Sequence, residues 1–182
     1  MADVHYNLGN THYLMKETAL AIKHYEEAIK LNPNKGESFY NLGNALCVVQ
    51  KYDEAIENYK KAISFDSYNA PAFFNLGNAY YMCGQFDKSI GSYQMALKLN
   101  PDSAECHFNI ANAFNDKAQK KQALHHFNES LNLDKMNAEA HYEVGEIFVS
   151  LGQTSRAKES FAKVLAINKD HEKATNALAK LI

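Results

Sequence analysis

The chain lacks any run of about 18 apolar residues, so no stretch of it reads as a bilayer-spanning helix. Its first residues, Met1-Ala2-Asp3-Val4-His5-Tyr6, have neither the basic stretch nor the apolar core of an export signal. The expected location is therefore cytoplasmic. The three cysteines, Cys47, Cys83 and Cys106, are odd in number, and no two share a C-x-x-C spacing. That argues against a disulfide framework or a thiolate metal centre and for reduced thiols. Neither sign of charge dominates: 19 Lys+Arg against 21 Asp+Glu leave −2 at pH 7, which gives no general drive toward nucleic acid or an anionic membrane. No linker, low-complexity tract or charge block breaks the chain. Catalytic signatures are missing as well. There is no G-x-S-x-G elbow, no phosphate-binding loop, no H-E-x-x-H and no dinucleotide-binding glycine fingerprint. The expectation is a protein that is not an enzyme and carries no cofactor and no metal site.

What the chain has is repetition. Asn-Leu-Gly-Asn stands at Asn7–Asn10, Asn41–Asn44 and Asn75–Asn78, each copy 34 residues after the last. Relaxed copies follow at the same step, Asn109-Ile110-Ala111-Asn112 and Glu143-Val144-Gly145-Glu146. A fixed period of this size makes each repeat one supersecondary unit and the fold a stack of such units. With 46% hydrophobic and 22% charged residues, the chain has the composition of a packed protein. In the first period apolar residues recur at helical spacing over roughly 2–15 and 18–31. Asn32-Pro33-Asn34 then ends the second helix, because proline cannot continue it. Five helix–turn–helix units are expected at 2–35, 36–69, 70–103, 104–137 and 138–171, followed by a capping helix at 172–182. The whole, 1–182, reads as a single array.

One site in each first helix is kept small: Gly9, Gly43, Gly77, Ala111, Gly145. Two sites in each second helix are mostly small, Ala21, Ala55, Ser89, Ala123, Ala157 and Ala28, Ala62, Ala96, Ser130, Val164. Small side chains let helix backbones approach to the short end of the ~8–10 Å range. Large fillers surround them: Tyr25, Tyr59, Tyr93, Phe127, Phe161, and Leu8, Leu42, Leu76, Ile110, Val144. The order Leu-Gly, small, aromatic, small, Pro, seen as Leu8-Gly9, Ala21, Tyr25, Ala28 and Pro33, resembles the tetratricopeptide repeat. The resemblance covers nearly the whole chain. It implies an all-α fold, a right-handed α-solenoid of helix–turn–helix repeats. Departures are the aromatic entry site, Phe39 and Phe73 but His5, His107 and His141 elsewhere, and the closing proline, replaced by Ser67, Lys135 and Lys169. The three histidines read as half-buried packing residues, and the adjacent His125 and His126 as pointing apart.

In arrays of that family the first helices line a concave groove. The resemblance assigns to it Tyr6, Asn7, Asn10, Tyr13, Tyr40, Asn41, Asn44, Phe74, Asn75, Asn78, Tyr81, Met82, Asn109, Asn112, Glu139, Glu143 and Glu146. An asparagine amide carries both donor and acceptor and can mimic a peptide partner, so the ladder suits an extended polypeptide. It is similar to the asparagine ladders of the O-linked N-acetylglucosamine transferases. Hydrogen bonding between neighbouring repeats is the competing role for the same amides. The assigned series contains no Lys or Arg, whereas family members that hold acidic chaperone tails use basic clamps. The expected partner is another polypeptide with an apolar or aromatic portion and a basic portion. Nucleic acid and membrane insertion are not expected. Alternatives are a substrate-recruiting segment of a larger glycosyltransferase, and a piece that self-associates or belongs to a longer parent array.

Overall fold

The computed structural model describes residues 1–181. Among them there are eleven helices and no strand. The chain divides into two compact units, Met1–Pro101 and Asp102–Ile182. The first holds α1 (Ala2–Leu14), α2 (Thr18–Leu31), α3 (Gly36–Val48), α4 (Tyr52–Phe65), α5 (Ala70–Met82) and α6 (Phe86–Leu99). The second holds α7 (Ala104–Asp116), α8 (Lys120–Leu133), α9 (Ala138–Ser150), α10 (Thr154–Ile167) and α11 (Glu172–Ala179). Within each unit consecutive helices pair as antiparallel hairpins, α1 with α2, α3 with α4, α5 with α6, α7 with α8 and α9 with α10. Inside each unit the junctions between hairpins, α2 with α3, α4 with α5 and α8 with α9, are made chiefly by the second helix of one and the first helix of the next, and α11 packs on α10.

The turn inside each hairpin obeys the same period. Lys16, Gln50, Gly84, Ala118 and Gly152 all have left-handed φ values between 58° and 69°. Around each, two hydrogen bonds close the end of the first helix. In the second hairpin Gln50 N donates to Cys47 O at 3.0 Å and Lys51 N to Leu46 O at 2.9 Å. Such a closure satisfies the last carbonyls of a helix and turns the chain sharply. Only two of the five positions are glycine, so three L-residues hold a conformation that costs them about 1–2 kcal/mol. Helix starts are marked by side-chain caps where the sequence supplies them. Asn69 Oδ1 accepts from Ala72 N at 2.9 Å and Asn137 Oδ1 from Ala140 N at 2.9 Å.

The core rests on one contact made repeatedly. Tyr25, Tyr59, Tyr93, Phe127 and Phe161 are all buried. The rings of Tyr25, Tyr59, Tyr93 and Phe161 lie against Gly9, Gly43, Gly77 and Gly145. A β-carbon built on those glycines would meet ring carbons at 2.5–2.7 Å. The leading apolar series behaves differently at its start. Leu42, Leu76, Ile110 and Val144 are buried, but Leu8 is 38% exposed and Val4 55%. Leu8 is thus not the buried filler that its position suggests, because among the described residues no helix packs on that face of α1.

Two consequences are measurable by thermal or denaturant unfolding. Gly77→Ala improves helix propensity by about 1 kcal/mol but forces a methyl into the Tyr93 ring. Overpacking of this kind costs about 1–3 kcal/mol, so the variant is expected to be less stable. Ala118→Gly relieves a left-handed L-residue and is expected to stabilise by about 0.5–1 kcal/mol.

Candidate functional site

The first helices carry the assigned groove residues, and the two units treat them differently. In the first unit the second asparagine of each tetrad is bound inward. Tyr25 Oη donates to Asn10 Oδ1 at 2.8 Å, Tyr59 Oη to Asn44 Oδ1 at 2.8 Å and Tyr93 Oη to Asn78 Oδ1 at 2.6 Å. The first asparagine of the next repeat completes the link. Asn41 Nδ2 donates to Asn10 Oδ1 at 3.0 Å and to Tyr6 Oη at 3.2 Å; Asn75 Nδ2 donates to Asn44 Oδ1 at 2.9 Å and to Tyr40 Oη at 3.2 Å. The amides therefore tie repeat to repeat. They are half spent: Asn10 and Asn44 use their oxygens, Asn41 and Asn75 their amino groups. What remains is the amino groups of Asn10 and Asn44 and the oxygens of Asn41 and Asn75. Asn7 is exposed. Asn109 is half-buried and hydrogen-bonded or otherwise engaged.

Beside Asn44 and Asn75 lies a cavity of about 430 Å³, lined also by Tyr13, Cys47, Val48, Tyr59 and Asn78. Cys47 Sγ sits 3.4 Å from Tyr59 Oη, and burial pushes its thiol up. Burial likewise pushes the Tyr25 phenol up to about 12, so it stays a donor at any ordinary pH. The groove aromatics are half-buried and lean on the core ring of their own hairpin. Ring centroids are 6.3 Å apart for Tyr6 and Tyr25, 6.1 Å for Tyr40 and Tyr59, and 5.6 Å for Phe74 and Tyr93. Tyr81 packs edge-on to Phe86 at 5.5 Å, and Met82 is exposed. One cation enters from outside the assigned series. Lys35 Nζ lies 3.9 Å from the Tyr6 ring centre and 2.9 Å from Asp3 Oδ1.

In the second unit the core rings are Phe127 and Phe161, which have no hydroxyl. The positions equivalent to Asn10 are Asn112 and Glu146, and the donor that pins the earlier amides is gone. Glu139, Glu143 and Glu146 share α9, with Asp116 at the end of α7. Burial first, then Glu139, Glu146 and Asp116, hold the Glu143 carboxyl above its ordinary value, with Lys173 acting the other way. A cavity of about 390 Å³ between α9 and α11 is lined by Tyr142, Glu146, Val149, Lys173, Asn176, Ala177, Lys180 and Leu181. The acidic face therefore has Lys173 of α11 and Lys180 just after it alongside, which the periodic series does not disclose. Among the described residues no group of three or more His, Cys, Asp or Glu stands ready to hold a metal ion, and no helix is long and apolar enough to cross a membrane.

Models described as "Tetratricopeptide repeat" match residues 2–35, 24–57 and 138–171, and one described as "TPR repeat" matches 50–83 and 77–117. The chain belongs to the tetratricopeptide-repeat family. No curated protein matches it significantly. Many solved structures do. YrrB, described as a TPR protein with an unusual peptide-binding site, is 25% identical with a TM-score of 0.83, over 98% of this chain and 91% of its own. MamA from Desulfovibrio magneticus RS-1 is 18% identical with a TM-score of 0.88, over 93% and 96%. Another MamA structure is 22% identical with a TM-score of 0.87, over 94% of each chain. The MamA likenesses are of fold alone.

The raised Glu143 value has a signed consequence. The folded protein holds this proton more tightly than the unfolded chain, so stability falls as pH rises from the ordinary glutamate value of 4.5 through the folded one. Glu143→Gln removes the penalty. Its melting temperature is expected to exceed that of the parent at pH 7 and to converge with it near pH 4, as followed by circular dichroism.

Proposed function

We propose that the protein is a non-catalytic scaffold that holds an extended polypeptide against its first helices. The carrying observation is the half-spent amide ladder. The amino group of Asn44 and the oxygens of Asn41 and Asn75 are a donor and acceptors of the kind a peptide group pairs with, and Asn44 and Asn75 line a cavity sized for a side chain. Two things support the reading: family membership, and the likeness to YrrB, itself described as having a peptide-binding site. Asn41 and Asn75 act twice in it, locking the repeats through their amino groups and offering their oxygens outward. Tyr13 and Val48 favour an apolar or aromatic partner residue at the first unit. Glu139, Glu143 and Glu146 favour a basic partner segment at the second, because a cation there relieves crowded carboxylates. Tyr6, Tyr40, Phe74, Tyr81 and Met82 extend the apolar surface, and Asn7, Asn10, Asn78, Asn109 and Asn112 the amide surface.

Replacing Asn41 or Asn75 would break junctions as well as the surface, so the test uses positions outside those hydrogen bonds. Fluorescence titration of labelled peptides is expected to rank basic, aromatic sequences above acidic ones. Val48→Lys is expected to weaken the aromatic peptides about tenfold. Joint Glu143→Gln and Glu146→Gln is expected to weaken the basic ones and flatten their salt dependence. Equal or tighter binding of acidic peptides would overturn the charge assignment, and indifference to Val48→Lys would overturn the seat.

A further inference from the structure

Three side chains recur in register at two places. The first repeat has His5, His24 and Glu27; the fourth has His107, His126 and Glu129. The corresponding positions elsewhere hold Phe39, Asn58 and Lys61, then Phe73, Ser92 and Met95, then His141, Ser160 and Lys163. Where the second histidine is missing the carboxylate is missing too. His141, the one unaccompanied member, turns its Nε2 to within 3.2 Å of Lys135 O instead.

The structure brings each pair together across a hairpin. His5 Nδ1 and His24 Nδ1 are 3.1 Å apart between α1 and α2; His107 Nδ1 and His126 Nδ1 are 3.2 Å apart between α7 and α8. One further ring braces each pair at the same register. His12 stacks on His24 with an interplanar angle of 3°, and Phe114 stacks on His126 at 17°. As they stand, the two nitrogens share one proton. Two imidazole nitrogens on one zinc-type ion, with metal–nitrogen bonds of about 2.0–2.1 Å, are about 3.1–3.2 Å apart when they subtend an angle of about 100°. A small swing of the two rings converts a proton-sharing pair into such a chelate.

We infer that each of the two histidine pairs is a binding site for a borderline divalent transition cation, with Glu27 or Glu129 as the third donor and water completing the shell. Two histidines and one carboxylate leaving open positions is a known ligand set for such ions. The glutamate lies three residues after its histidine and therefore on the same helix face. Glu27 now approaches Lys30 at 3.8 Å with its side chain 43% exposed, so it turns at little cost. Glu129 already acts electrostatically on both His107 and His126. On binding, the shared proton passes to the free Nε2 of the ring that held it, so both rings ligate through Nδ1 as neutral imidazoles. The carboxylate must move to complete each site, since no three donors converge as the side chains stand.

The full chain, freed of metal with chelator, is titrated with Zn2+ alone by calorimetry and with Co2+ by visible absorption. The expected result is one ion per histidine pair. His24→Asn removes the ion of the first pair only, and His24→Asn with His126→Ser removes both; these substitutes are the chain's own residues at Asn58 and Ser160. If that variant loses its helical melting transition, His5→Phe with His107→Phe, as at Phe39 and Phe73, makes the same measurement. Glu27→Gln with Glu129→Gln is expected to keep the stoichiometry and weaken binding about tenfold or more. No uptake by the intact chain, or uptake that survives loss of the histidines, overturns the sites and leaves proton-sharing pairs only. Unchanged affinity in the glutamine variant overturns the third donor.

Discussion

The contact on which most else depends is an aromatic ring lying where a β-carbon would be. Tyr59 against Gly43 is typical: a methyl on the glycine would sit 2.7 Å from the ring. That closeness fixes the separation of the two helices in a hairpin and removes a large ring from water, a gain of about 1.5–3 kcal/mol. It also decides where the rest of the first helix faces. With Gly43 and Leu42 turned to the core, Asn41 and Asn44 fall toward the other side. The same ring then reaches through. Its hydroxyl donates to Asn44 Oδ1, so the residue that builds the core also orients a residue of the surface.

One oxygen atom accordingly separates the character of the two units. Tyr25, Tyr59 and Tyr93 each offer a buried hydroxyl, and an asparagine oxygen accepts it. An apolar environment makes an unpaired hydroxyl expensive, by about 1–3 kcal/mol, so ring and amide constrain each other. Phe127 and Phe161 fill the same space with no donor to satisfy. The facing positions are then released from that constraint, and one of them is Glu146. The acidic turn of the fifth repeat is permitted by a change in its core ring, and Glu143 and Glu139 add to it on the same helix.

The period, the helix pairs and the small sites under the rings were legible in the sequence because they are properties of helix faces, and a face repeats every 3.6 residues. The hydrogen bonds were not. Asn41 joins Asn10 and Tyr6, 31 and 35 residues away, and nothing in a face pattern says whether an amide points to a neighbour or to a ligand. Leu8 has the sequence of a core position and the exposure of a surface one, since burial depends on what packs outside the pattern. The left-handed residues at Lys16, Gln50 and Ala118 carry no glycine to announce them, although their register with Gly84 and Gly152 could have done so. The pairing of His5 with His24 required reading two helices together at a fixed offset of 19, which inspection of each histidine alone does not do.

A surface whose amides are already half engaged has a particular use in recognition. A free asparagine would have to lose rotamer freedom on binding, at about 0.5–1.5 kcal/mol for an immobilised side chain. Asn44, held by Tyr59 and Asn75, has lost that freedom on folding. Its remaining amino group is therefore a fixed donor, and the oxygens of Asn41 and Asn75 are fixed acceptors. Such groups suit the N–H and C=O that every peptide unit presents, so they confer affinity for an extended chain without choosing among chains. Choice must come from what differs between repeats: the cavity beside Tyr13 and Val48, and the carboxylates of α9. Rigid, unselective amides with a few selective neighbours are what one scaffold needs to be turned toward one partner by few substitutions.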